Sequence, residues 1–305
     1  MLNLELSLKI LGAALWLAFV ALMQLDPGSE SWIVLLLMFS PLVLMPLSRQ
    51  LVAAPALEGR HELVSMAAAI MLGLSFCWKP AMSTSALALP WLAVRLLAAF
   101  DVVREVRGAL SLAQISVLAS RVFPAIGAAW LVAHRGNWTP FGFDPLIVLL
   151  TAAHFHHAGF TMPLIAGLHG QARPDGWSQF SCGAILAGVP LVAVGITCTH
   201  FGWVPWLEPM GVALLVLGSL VVAGLQLRRA CRTGLRWPHR LLFVVSGAAS
   251  MAAMILALGF GLRHQLPWAA LTMPQMWMIH GSLNVFGFGL CGILGWRVTS
   301  PPLRG

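Results

Sequence analysis

Residues 206–227 read WLEPMGVALLVLGSLVVAGLQL, with Glu208 the single ionisable side chain. About 20 predominantly apolar residues span the hydrocarbon core of a bilayer, and this run is long enough. Similar runs recur at 6–25, 31–48, 62–78, 81–100, 111–133, 145–168, 180–200, 241–262 and 272–296. Turn chemistry or charge separates them: Asp26-Pro27-Gly28, Lys79-Pro80, Arg135-Gly136-Asn137, Arg173-Pro174-Asp175-Gly176 and Pro267. In lipid such runs satisfy their own backbone as helices. The sequence therefore predicts an all-α polytopic bundle of about ten helices, a single transmembrane domain over 1–305.

Composition agrees. Only 9% of the residues are charged and 59% are hydrophobic. A soluble domain carries roughly 25% charged residues to keep its surface wet. The net charge of +8 sits in short connections, which favours the lipid bilayer over nucleic acid as partner. With a cytoplasmic N-terminus, thirteen of the eighteen Lys and Arg fall on the inner side. Three, Lys79, Arg135 and Arg263, fall outside, and Arg95 and Arg121 fall within helices. The positive-inside rule thus predicts both termini in the cytoplasm and residence in the cell inner (plasma) membrane. The five cysteines form no CxxC pair and read as small apolar packers.

Ionisable groups inside a bilayer are costly and mark candidate sites. The sixth run holds His154, His156 and His157, roughly 15–20 Å along the helix from Asp144. His154 and His157 are three apart and share a face, while His156 is about 200° round from His154. The last run holds His280 and Asn284, four apart, with Gly287 and Gly289 beyond. Arg121 lies midway along the fifth run, which has no acid, and is expected to face a carboxylate of a substrate or cofactor. His154, His157 and His280 form a candidate metal set. His154, His157, His280, Asn284 and Arg121 form a candidate catalytic set. His134 and His169 read as helix-end residues near water, Glu208 and Gln275 as helix caps, and Trp16, Trp91 and Trp296 as interface aromatics. The bland alternative is that the intramembrane polar groups only tie helices together.

Ala153-His154-Phe155-His156 resembles the histidine helix of haem–copper oxidase main subunits. That resemblance implies haem ligation by His154 and His156 from opposite sides of one helix. The histidine pair for copper and the cross-linked tyrosine are not evident, and the chain has no tyrosine. A longer resemblance is to the YndJ-like family of bacterial membrane proteins. It rests on Ala153-His154-Phe155-His156-His157-Ala158-Gly159-Phe160, matching AHFHxAGF, and on His280-Gly281-Ser282-Leu283-Asn284-Val285-Phe286-Gly287-Phe288, matching HGxxNxxGF.

Three functions fit. The first is a membrane-embedded enzyme acting on a lipophilic small molecule. It uses haem or a transition metal for redox chemistry, or works without metal as an acid/base isomerase or cyclase. The second is a proton-coupled transporter, and the third a non-catalytic haem- or metal-binding membrane protein.

Overall fold

A computed structural model describes residues 2–23, 26–52, 59–264 and 271–299, and all regular structure there is helical. The helices are α1 (Leu2–Leu22), α2 (Glu30–Leu51), α3 (Gly59–Ser75), α4 (Met82–Glu105), α5 (Leu112–Arg135), α6 (Pro145–His157), α7 (Thr161–Ala172), α8 (Gly176–His200), α9 (Leu207–Ala230), α10 (Trp237–Gly261) and α11 (Met273–Thr299). Eight helices among the described residues are long and apolar enough to cross a membrane, with α3 a shorter apolar helix. The Pro267 break and Arg304 lie outside the described residues.

Local chemistry sets the helix ends. Asp144 caps α6 by accepting from the Leu146 N–H at 2.8 Å. Asp175 caps α8, accepting from the Ser178 N–H at 2.9 Å while the Ser178 hydroxyl accepts from the Asp175 N–H at 3.0 Å. Thr272 and Gln275 form the same reciprocal box at the start of α11, so Gln275 caps as expected.

One expected element divides. The run 145–168 is two helices, interrupted at Ala158-Gly159-Phe160. Pro163 has no N–H to offer the Gly159 carbonyl, and its ring crowds that carbonyl. The Gly159 N–H instead reaches back five residues to His154 O, and the Phe160 N–H reaches three back to His157 O.

The described residues gather into two compact units. The first contains α1–α4, α5 from Arg121 onward, and α6. Its centre is α2, buried continuously from Ile33 to Leu44. Pro41 removes the N–H that would bond Leu37 O, so the Ser40 N–H bonds Leu37 O instead. The chain then widens into a π-helical turn over Ser40–Leu44, closed by the Met45 N–H on Ser40 O. This shift releases the Leu36 carbonyl from its usual partner. Against this stretch α1 packs closely, because a Cβ on Gly12 would lie only 2.0 Å from Leu42 O.

The second unit contains α5 up to Ser120 and α7–α11. Glycines seven residues apart line α8 and α9. Gly188 meets Leu215, Gly195 meets Glu208, Gly211 meets Leu191 and Val192, and Gly218 meets Ala184 and Ile185. Small residues let two backbones approach in lipid, where dispersion replaces the hydrophobic effect as the driving force. Gly247 of α10 lies against Ala223 and Leu227 of α9, and Gly287 of α11 against Ala249 of α10. Most of α11 is π-helical, over Met276–Gly281 and Leu283–Leu290.

Two outcomes follow from this packing. Gly12→Ala should lower stability by about 1–3 kcal/mol, because the obstructing atom is backbone. Gly224→Ala, with nothing within 4 Å of its Cβ position, should leave stability unchanged or raise it by up to about 1 kcal/mol. Thermal unfolding in detergent reads both. The Asp175 carboxylate, outside the spanning segments, is held below its ordinary range by the Ser178 N–H and then by Arg228, whose Nη2 lies 2.9 Å away. A lowered folded pKa contributes stability above the ordinary carboxylate range and loses it as pH falls through the lower folded value. Asp175→Asn should therefore flatten the acid limb of stability against pH below about 4.

Candidate functional site

The three neighbouring histidines go to three different surroundings. His154 is exposed, and its Nδ1–H donates to Leu150 O at 2.7 Å. Its Nε2 is thereby the lone-pair nitrogen, on a face shared with the partly exposed Ile147, Leu150 and Thr151. His157 is buried against α2, where its Nε2–H donates to Leu36 O at 2.9 Å. That acceptor is the carbonyl released by the Pro41 turn. The expected common face of His154 and His157 therefore divides, one ring facing outward and the other facing α2.

His156 is fully buried against α4. Its Nδ1–H donates to Ala152 O at 2.8 Å, and its Nε2 accepts from the Trp91 indole N–H at 2.9 Å. Gly127 of α5 makes room for this ring, since a Cβ there would sit 2.6 Å from His156 Nδ1. The Arg95 guanidinium lies 4.5 Å from the Trp91 ring centroid. The Ser40 hydroxyl donates to His156 O at 2.7 Å. Trp91, 1% exposed, is thus a core residue and not an interface aromatic. Its indole N–H needs an internal acceptor, and His156 is that acceptor.

Arg121 meets the chain's own carboxylate. Both its terminal nitrogens contact Glu105, with Nη2 at 2.9 Å from Oε1. The fifth run has no acid, but the end of α4 supplies one, so the carboxylate expected from a substrate or cofactor is already present. Buried Arg135 donates to Ser75 O and Trp78 O, closing the α3–α4 connection onto the end of α5. His134, expected near water, is also buried.

The second unit holds His280 and Asn284 on the π-helical part of α11. The His280 Nδ1–H donates to Ala253 O at 2.8 Å. Asn284 Nδ2 donates to His280 O at 2.9 Å and lies 3.2 Å from His280 Nε2. A separate buried chain crosses four helices. His169 Nε2–H donates to Gln226 Oε1 at 3.1 Å, and Gln226 Nε2 donates to Ser246 Oγ at 3.1 Å. The Ser246 hydroxyl donates to Phe288 O at 3.0 Å. Trp296 packs edge-on against His169, with Arg229 over its ring at 3.8 Å. His169, in the last turn of α7, is therefore buried and not near water, and Trp296 is an interior residue and not an interface aromatic. Glu208, expected to cap α9, is buried and ion-paired with Arg263 at 2.7 Å.

These placements do not fit the expected haem pair of His154 and His156 or a three-ligand metal centre. Both ring nitrogens of His156 are engaged, which leaves no lone pair for iron. Among the described residues no three His, Cys, Asp or Glu side chains are grouped to hold a metal ion.

The model of the family described as YndJ-like protein matches residues 35–288. The chain belongs to the YndJ-like family. The Bacillus subtilis (strain 168) protein described as uncharacterized membrane protein YndJ is 31% identical over 189 residues, covering 61% of this chain. The match takes in 33% of that relative, so this chain spans about a third of its length. No solved structure matches the chain. The matched region begins within α2 and ends in α11, so it includes Ser40, Trp91, the three histidines, His280 and Asn284.

Gln226 and Ser246 were not singled out by sequence, and Trp91 was read there as an interface aromatic. Gln226 stands inside an apolar run, and a mid-run amide was the available signal. Trp91 gave none, because its partner is 65 residues away. Trp91→Phe should lower stability by about 1–3 kcal/mol, since it leaves His156 Nε2 buried without a donor. His156→Phe made on top of it should cost much less than in the native chain. A double-mutant cycle by thermal unfolding measures the coupling.

Proposed function

We propose that this multi-pass membrane protein is a membrane-embedded enzyme acting on a lipophilic small molecule, with His154 as a metal-free acid/base. One observation carries the reading. Of the three adjacent imidazoles, His154 alone is exposed, with its tautomer set by Leu150 O and Nε2 turned outward. A neutral imidazole nitrogen at that position takes a proton from a C–H or O–H group of a bound lipophile. The resulting imidazolium returns the proton at a second position. Bonds are redistributed with no oxidant, reductant or co-reactant, which is isomerisation or cyclisation. His156 and His157 hold α6 against α4 and α2, and in this reading they are positioning residues. The partly apolar face around His154 suits a substrate arriving from the bilayer. The cell inner membrane with both termini cytoplasmic is the setting that the distribution of Lys and Arg supports.

A specific observation favours proton-coupled transport as the second reading. The helix is interrupted at Ala158–Phe160, immediately after the histidines, and transporters build substrate sites at interrupted helices.

The test compares membranes carrying the native chain, His154→Ala or His154→Gln. Mass spectrometry of the lipophilic extract should show a compound replaced by an isomer of equal mass with the native chain. That conversion should fall about 10²–10⁴-fold in both variants, the range general acid–base catalysis supplies. Equal conversion in all three overturns His154 as the base. In sealed proteoliposomes, an unaltered compound crossing the membrane only with the native chain would establish the transport reading instead.

A further inference from the structure

The helices α10 and α11 run antiparallel in a fixed register. Ser246 of α10 donates to Phe288 O of α11, and Ala253 O of α10 accepts from His280. Between these two levels, four residues along α10 from Ser246 is Ser250, and four residues back along α11 from Phe288 is Asn284. The register therefore brings Ser250 opposite Asn284. Both carry a buried polar atom without a hydrogen-bond partner: Ser250 Oγ and Asn284 Oδ1. Ser250 is 0% exposed. The amide orientation is fixed, because Asn284 Nδ2 donates to His280 O at 2.9 Å, and Oδ1 is left facing away from that carbonyl.

An orphaned buried oxygen is destabilising, and here two stand at one level of one helix pair. Their needs are complementary. The amide oxygen only accepts, whereas the serine hydroxyl has a proton to donate. A ketone satisfies only the serine and an ammonium does not take its proton. A hydroxyl group satisfies both, giving its proton to Asn284 Oδ1 and accepting from Ser250 Oγ–H. The surrounding π-helical turns of α11 fit this, since such turns are enriched at functional sites. We propose that Ser250 and Asn284 together bind one hydroxyl group, that of a water molecule or of a lipophilic alcohol. This site lies in the second unit and stands independently of the role given to His154.

The experiment uses the full chain in detergent as the native form, Ser250→Ala, Asn284→Ala and the double variant. A shared guest makes the losses non-additive. Each single change lowers the unfolding midpoint by about 2–5 °C, and the double change lowers it little further than the larger single one. Additive losses, or no loss from Ser250→Ala, overturn the proposal. The organic extract of the purified proteins separates the two sources. An alcohol recovered from the native chain and depleted in both single variants identifies a lipophilic ligand. Coupling with no such compound identifies water. If Asn284→Ala does not accumulate, the infrared band of the Asn284 side-chain carbonyl decides. It is read in ¹³C-asparagine protein carrying Asn3→Asp and Asn137→Gly, the latter suited to the φ of 55° there. A shift to the free-carbonyl frequency in Ser250→Ala supports the shared guest, and an unmoved band overturns it.

Discussion

Backbone carbonyls freed at irregular turns must find donors inside the protein, because the bilayer core offers none. Much of the first unit can be traced to one such carbonyl. Pro41 cannot donate, the Ser40 N–H shifts to Leu37 O, and Leu36 O is released. His157 supplies the missing donor and so docks α6 on α2. Ser40, at the start of the same π turn, donates to His156 O and fixes the neighbouring level. A proline in α2 thus determines where two histidines of α6 reside.

The same constraint separates the roles of the three imidazoles. A neutral ring offers one donor and one acceptor in its plane. His156 uses both, on Ala152 O and the Trp91 indole. His157 gives its Nε2–H to α2. His154 gives its Nδ1–H to its own helix, which costs no docking and leaves the ring outward. The interruption at Ala158–Phe160 follows directly, and the His154 carbonyl accepts there from both the Ala158 and Gly159 N–H groups. The carbonyl of the one residue whose ring faces outward therefore carries the irregularity, beside the exposed imidazole that bears the functional reading.

The helical architecture was legible because lipid imposes one rule on every span. Apolar length and the Pro, Gly and charged breaks placed the helices from Leu2 to Thr299. The division of the sixth run was less legible, since Pro163 alone does not say whether a helix bends or stops. The partners of the polar groups were not legible at all. Arg121 found Glu105 because α4 runs beyond the apolar stretch and ends at that acid. Trp91 and Trp296 look like interface aromatics by composition, yet each lies against a histidine that no local spacing connects to it. Such pairs are set by which helix faces meet, and periodicity within one helix does not encode that.

The two units meet the constraint by different means. In the first, full guanidinium charges are kept at carboxylates, carbonyls or aromatic faces: Arg121 at Glu105, Arg135 at Ser75 O and Trp78 O, and Arg95 at the Trp91 ring. In the second, the interior is crossed by an uncharged series from His169 through Gln226 and Ser246 to Phe288 O, and the Glu208–Arg263 pair sits at the ends of α9 and α10. Neutral hydrogen bonds carry a smaller desolvation cost than ions and allow α7, α9, α10 and α11 to meet at fixed levels. Those fixed levels give the π-helical α11 its register on α10. With Ser246 and His280 already satisfied above and below, Ser250 and Asn284 remain at the intervening level with a proton to give and an oxygen to receive one.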